Sequence, residues 1–239
     1  MPEKNFQNNR AILLAGDFKQ RRVYFGTHPF EWKTNKGPPP CQDILKYSMI
    51  GLTSMYIENQ GITKFDIESS CLPNLEVASF ANNCLRQVPS FLYNLESLKN
   101  IYLNNNKIKV FRVYENRMSS VEALWLSYNK IRHLDNSVCI LYSLRYLHID
   151  HNRISTIPVN LCLCSEISGI WIGYNHLKGL PKRLLEMKKL KILDVEFNKI
   201  NEIPEVIRRF SEELVIHTQG NAMSSSIMRI NGNGSTEEK

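Results

Sequence analysis

His148, Asp150 and His151 sit almost side by side in the chain, and imidazoles beside a carboxylate are what a metal site would use. A zinc site needs a third protein ligand, which here would have to come from Asp194 or another distant position, with no ligand-spacing motif behind it. Neither a metal nor a cofactor is expected. The chain holds no GxxxxGK[ST] phosphate loop and no GxSxG elbow, and none of its cysteines lies in a catalytic setting. The expectation is therefore a protein without catalysis of its own. What remains is a set of side chains suited to recognition. Tyr102, Trp125, His148, Trp171 and Asp194 follow one another at a constant offset of 23 residues, and Tyr128, His151, Tyr174 and Phe197 form a second series at the same offset. Aromatics with a polar tip are enriched where proteins dock, because they offer large contact area and a hydrogen-bonding end.

A constant offset makes chemistry only if the chain is coiled at that period, so the elements between these residues decide the matter. One written pattern recurs: Leu98, Ile101, Leu103, Asn106, Ile108, Phe111; then Val121, Leu124, Leu126, Asn129, Ile131, Leu134; then the units beginning at Leu144 and Ile167. Numbering the first aliphatic as slot 1, slots 4 and 6 alternate about an outward residue at slot 5, the period of a short strand. The Asn at slot 9 has the donors and acceptor to satisfy backbone groups in a buried turn. Slots 1 and 11 close the layer. One coil cannot bury its own apolar slots, so coils must stack into a curved solenoid lined by a parallel sheet. Each well-buried aliphatic is worth about 1.5–3 kcal/mol, which offsets chain ordering only when neighbouring coils cover it.

All these units read LxxLxLxxNxL with any aliphatic in the L slots, and in this the chain resembles the leucine-rich repeat family. The expected fold is an α/β leucine-rich repeat solenoid, with a curved parallel inner sheet and short helical or 3-10 segments on the convex side. Eight units begin at 52, 75, 98, 121, 144, 167, 190 and 213, the first with Gln60 in the Asn slot and the last with Glu213 and Thr218 in apolar slots, as end coils with one wet face predict. Pro89, Pro158, Pro181 and Pro204 open return segments with an apolar residue every third position, a pattern for short helical turns. The subtype resembles the intracellular 23-residue class of Ras-pathway scaffolds and cell-polarity proteins. The third coil departs from it, with Arg112 at the proline position, so its return arc is expected to be irregular.

Around the solenoid of residues 42–223 lie a basic leader, 1–41, read as a flexible arm, and a tail, 224–239, read as disordered. Gly37 to Pro40 is a stiff break, and Gln42 to Ile50 has apolar residues at helical spacing that would cap the first coil. Residues 1–51 hold eight Lys or Arg against four acids, so much of the net +7 sits there. Arg21 to Phe25 (RRVYF) resembles the docking motif of protein phosphatase 1 regulators. That resemblance implies docking through Arg22, Val23 and Phe25 by edge-strand addition; packing of Val23 and Phe25 on the first coils is the plainer alternative.

Cys41, Cys71, Cys84, Cys139, Cys162 and Cys164 do not form the terminal clusters that cap extracellular members of the family, so free thiols in a reducing compartment are expected. No apolar run approaches the ~18 residues of a membrane span, and the N-terminus offers only Ala11 to Gly16 as an apolar stretch. The Met1–Pro2 start and the TEEK ending point to no lipid anchor, which leaves the cytoplasm, with the nucleus open, and a monomer.

Outward slots of successive coils line up. Slot 5 reads Tyr56, Ser79, Tyr102, Trp125, His148, Trp171, Asp194, His217, and slot 8 reads Asn59, Asn82, Asn105, Tyr128, His151, Tyr174, Phe197, Gly220. An aromatic patch facing water is expected to bind a partner protein. Stacking of the rings on one another, worth about 0.5–1 kcal/mol per cross-strand pair, can coexist with that role. Lys99, Arg145, Asp150, Lys191, Asp194 and Glu196 give the patch a rim of mixed sign, which favours a protein over a polyanion. A nucleic-acid role is the remaining alternative; the net charge permits it, but the basic residues are not gathered into a stripe and the coils are almost balanced in charge.

Overall fold

The computed structural model describes residues 13–17, 22–26, 51–114, 117–202 and 214–222. Its spine is one sheet of ten strands in sequence order. Strands β1 (Leu13–Asp17) and β2 (Arg22–Gly26) are followed by one three-residue strand per coil: β3 (Ser54–Tyr56), β4 (Val77–Ser79), β5 (Asn100–Tyr102), β6 (Ala123–Trp125), β7 (Tyr146–His148), β8 (Gly169–Trp171), β9 (Ile192–Asp194) and β10 (Val215–His217). From β2 to β10 every pairing is parallel and in register, with Ile101 opposite Leu124, Leu124 opposite Leu147, and so on; β1 runs antiparallel to β2. The chain is an α/β leucine-rich repeat solenoid, as the period predicts.

The strands are short because the chain must leave the sheet at each slot 9, and the asparagine there makes the departure possible. Asn129 is representative: its Nδ2 donates to the carbonyls of Leu103 (2.9 Å) and Leu126 (3.0 Å), and its Oδ1 accepts from Ile108 N–H (3.0 Å). Asn83, Asn106, Asn152, Asn175 and Asn198 repeat the scheme, and each is buried. The result is a column of amides that stitches each coil to the one before it. No buried side-chain polar atom among the described residues lacks a partner, as a core made of turns demands.

Slots 1, 4, 6 and 11 fill the interior. In the third coil Leu98, Ile101, Leu103, Ile108 and Phe111 are all at 0% exposure, and one continuous apolar cluster runs from Leu52 to Ile216. On the convex side, 3-10 turns cover Ser69–Cys71, Ser90–Asn94, Asn136–Ile140, Val159–Leu163 and Lys182–Glu186. Pro89, Pro158 and Pro181 occupy the N-cap of the turns that follow them, where a fixed φ and a missing N–H cost nothing. Asp135 does the same job by another route, accepting from Ser137 N–H at 2.9 Å.

The described residues of the third return arc, 110–114 and 117–120, form no helix, in line with the missing proline. The arc is held to the next coil instead. Arg112 bonds Asp135 (Nη2 to Oδ2, 3.1 Å), and Val113 N–H donates to Ser137 Oγ (2.8 Å).

Part of the leader read from sequence as a flexible arm is strand here: Leu13–Asp17 and Arg22–Gly26 extend the sheet beyond the first repeat, with Val23 opposite Met55. Both strands are short apolar runs, LLAGD and RVYFG, whose pairing to the first coil is a long-range contact that local pattern does not carry. The rest of the leader, the expected cap at 42–50, the return arc after Pro204 and the tail from 223 lie outside the described residues, as do Cys41, Glu213 and Met223.

Candidate functional site

Two ring columns occupy the concave face. Parallel register puts Tyr102 opposite Trp125, Trp125 opposite His148, and His148 opposite Trp171. Their rings lie flat on one another: centroids are 4.1 Å apart for Tyr102 and Trp125, 5.3 Å for Trp125 and His148, and 4.0 Å for His148 and Trp171, all within 14° of parallel. Asp194 is next in register but ends the ring series; its Oδ1 accepts from Glu196 N–H at 3.0 Å. The carboxylate thus closes its own turn and is a poorer candidate for partner contact than the rings.

The second column has an unusual backbone. Every residue at slot 8 has positive φ: 59° at Asn59, 58° at Asn82, 55° at Asn105, 57° at Tyr128, 51° at His151, 52° at Tyr174, 49° at Phe197 and 72° at Gly220. Asparagine and glycine accept this left-handed conformation readily, whereas other side chains carry a cost of about 1–2 kcal/mol. The N–H of each central member reaches the next coil, as in Tyr128 to Asp150 O (3.0 Å) and Tyr174 to Glu196 O (2.8 Å), so the column is as regular as the sheet. Tyr128, His151, Tyr174 and Phe197 stack with centroid spacings of 4.0, 4.1 and 4.4 Å. Tyr128, Tyr174 and Phe197 remain 50%, 46% and 40% exposed.

All eight ring residues singled out from sequence are therefore brought together, in two files of four. Sequence reasoning missed the glycines that make the arrangement possible. A Cβ at Gly220 would meet the Phe197 ring at 2.5 Å, and one at Gly169 would meet the Trp171 indole at 2.3 Å. The signal was present in principle, since each glycine lies in a column otherwise filled by larger residues.

Electrostatically the face is subdivided. Between the ring columns run Glu58, Asp150 and Glu196 at slot 7; Glu58 accepts from Ser79 Oγ and Asp150 from Ser127 Oγ. On the slot 2 side, Lys99 and Arg145 of the expected rim are paired with acids outside it, Lys99 with Glu76 at 3.2 Å and Arg145 with Glu122 at 3.7 Å. Burial between the indoles pushes His148 below the usual imidazole range, and Asp150 opposes the shift more weakly. Neither histidine is gathered with acids into a metal cage; among the described residues no three ligating side chains converge.

Cys71, Cys84, Cys139, Cys162 and Cys164 are unbridged. Burial raises the thiol pKa to about 11 at Cys139 and about 12 at Cys164, which suits them to packing and not to nucleophilic attack. Arg22, Val23 and Phe25 lie on β2, whose backbone is paired on one side by β1 and on the other by β3. Adding this strand to a phosphatase edge would require it to leave its own sheet. No helix among the described residues is long and apolar enough to cross a membrane.

Comparison with known proteins agrees with this architecture. A family profile described as Leucine Rich Repeat matches residues 143–164. Among solved structures, internalin C2 of Listeria monocytogenes is similar with a TM-score of 0.66 at 23% identity, over 78% of this chain and 80% of that one. A leucine-rich repeat protein of Leptospira interrogans is similar with a TM-score of 0.60 at 21% identity, over 75% of this chain and 52% of that one. This chain thus spans about half the length of the Leptospira protein. A search of curated proteins returns no significant match. Likeness at these identities speaks to the fold. With its period, its asparagine column and its parallel sheet, the chain has the leucine-rich repeat fold, and residues 143–164 match the family's repeat.

Proposed function

We propose that this protein is a non-catalytic recognition module, of the scaffold kind found inside cells, that docks a partner protein on the two ring columns of its concave face. One observation carries the reading: four aromatic or imidazole residues occupy left-handed backbone positions that the end coils fill with Asn or Gly. A sheet that needed only stability would gain nothing from rings over Asn there, because stacking of about 0.5–1.5 kcal/mol per pair roughly cancels the conformational cost. Retaining the rings at no net gain is understandable if they serve a ligand. The fold itself supports a protein partner, since a curved parallel sheet presents a broad surface and no deep cleft.

The test is a double variant, Trp125→Ala with Trp171→Ala, in the full chain. Both indoles are half-buried on the open side and absent from the core, so the solenoid is expected to fold. Proteins captured by the native chain from lysate should be lost from the double variant and retained by a control bearing Tyr142→Ala, an exposed ring off the concave face. Undiminished capture by the folded double variant would overturn the proposal.

A further inference from the structure

One lip of the solenoid is basic along its length, a feature the linear sequence disperses and the coil gathers. Slot 10, directly after the asparagine column, reads Lys107, Lys130, Arg153, His176 and Lys199 in the third to seventh coils. All five are exposed. Their backbones are in register, because each N–H donates at 2.8 Å to a carbonyl of the coil before it: Lys107 to Leu85, Lys130 to Ile108, Arg153 to Ile131, His176 to Ile154, Lys199 to Leu177. Strand spacing then places one slot 10 side chain about every 4.8 Å, four of the five being lysine or arginine. A second row runs beside it at slot 12 with Arg86, Lys109, Arg132 and Lys178, also exposed. From 82 to 88, 105 to 111, 128 to 134, 151 to 157 and 174 to 180 there is no Asp or Glu to balance them, and in the seventh coil Glu202 is the one acid in the corresponding turn. Among the described residues none of these cations forms an ion pair, whereas Lys99, Arg145 and Lys189 elsewhere each have a carboxylate. This corrects the expectation that the coils carry no basic stripe.

We infer that this lip binds an acidic segment of a partner protein, laid along slots 10 and 12 next to the second ring column. The inference deepens the concave-face reading and rests on it for the partner being a protein. The two surfaces adjoin: Lys107 and Lys130 line a shallow depression together with Tyr128 and His151. Carboxylates over the lysines would therefore carry neighbouring side chains onto the ring edges. Charge complementarity identifies the ligand class, since a row of unpaired like charges repels itself until counter-charges arrive. A nucleic acid fits less well for two reasons. The ring faces within the second column are largely spent on one another, leaving bases only the outer face of Tyr128 to stack on. Across the second ring column from the lip stand Glu58, Asp150 and Glu196, which a nucleic acid laying bases over the rings would meet and a segment confined to the lip can avoid.

The experiment titrates the full chain into a fluorescein-labelled 20-residue polyglutamate peptide and, separately, a labelled 20-nucleotide oligouridylate, following anisotropy. The peptide should bind, about tenfold more weakly at 200 mM than at 50 mM salt. Lys107→Glu, Lys130→Glu and Arg153→Glu combined should weaken it at least tenfold. A control of equal charge change on the convex side, Lys182→Glu, Lys188→Glu and Lys189→Glu, should leave it within twofold. Equal loss in both triples would reduce the effect to net charge and overturn the lip. Tighter binding of the oligonucleotide would overturn the choice of partner, and no binding of either at 50 mM salt would overturn the inference altogether. The Trp125→Ala, Trp171→Ala variant should still bind polyglutamate within twofold, so failure of the ring-column reading and failure of the lip are told apart.

Discussion

The Trp171 indole lies across Gly169, two residues back on the same strand, so closely that a Cβ on Gly169 would fall 2.3 Å from Cη2 and 2.4 Å from Cζ3. The glycine is what lets the ring lie flat against His148 at 4.0 Å. Gly169→Ala should lever the indole off the stack and destabilise the protein by about 1–3 kcal/mol, the usual range for overpacking. In a Trp171→Ala background the same change should be almost neutral, because the obstructing ring is gone. Chemical denaturation of the four chains checks this; additive effects would mean that Gly169 is needed for another reason.

The asparagine column predicts a steep gradient of cost along the chain. Asn129→Ala strands the carbonyls of Leu103 and Leu126 and the N–H of Ile108 in a buried turn. Each unsatisfied buried group costs about 1–3 kcal/mol, so the variant should lose much of the stability of a small domain. Asn221→Ala removes the corresponding bonds to Val195 and Ile200 in the last described coil, where the site is only part-buried and water can substitute. Its effect on the melting temperature should be under half that of Asn129→Ala.

Much of this was legible from residue types alone. A fixed period with aliphatics at slots 1, 4, 6 and 11 determines what must be buried, and Asn106, Asn129 and Asn152 announce the turn they satisfy. Register follows from period, so the files through Trp125 and Tyr128 were foreseeable. Backbone handedness was also written in slot 8, where Asn59, Asn82, Asn105 and Gly220 are the residue types that tolerate positive φ; reading that column for conformation as well as for rings would have exposed it. The basic lip escaped because adding charges along the chain averages Lys107 and Lys130 with acids that coiling sends to other faces. The leader strands escaped for a different reason: the pairing of Val23 with Met55 is a long-range contact, and local pattern carries little information about it.

Tyr128 separates stability from binding. It has one stacking neighbour, His151 at 4.0 Å, and a φ of 57°. Tyr128→Asn relieves about 1–2 kcal/mol of backbone cost and forfeits about 0.5–1.5 kcal/mol of ring contact, leaving stability within about 1 kcal/mol of the native chain. Capture of the partner should nevertheless fall several-fold, because an exposed ring is lost from the docking face. A destabilisation well above 1 kcal/mol would show that the ring is structural, and unchanged capture would remove it from the site.

His148 makes the first ring column sensitive to acid. Burial between Trp125 and Trp171 lowers its pKa, while Asp150 pulls upward with less effect. The unfolded chain, with an imidazole near the ordinary value of about 6.5, then binds the proton more readily than the folded one does. Stability from the neutral ring is complete above about pH 6.5 and drains away as the pH falls, until the folded imidazole is itself protonated. His148→Phe keeps a flat ring in the stack and removes the titration. The native chain should therefore lose more of its melting temperature between pH 7 and pH 5 than His148→Phe does. Asp150→Asn should lose still more, because the one charge favouring imidazolium is gone. Identical slopes for native and His148→Phe would mean that other groups set the acid response and that the stacked imidazole has no share in it.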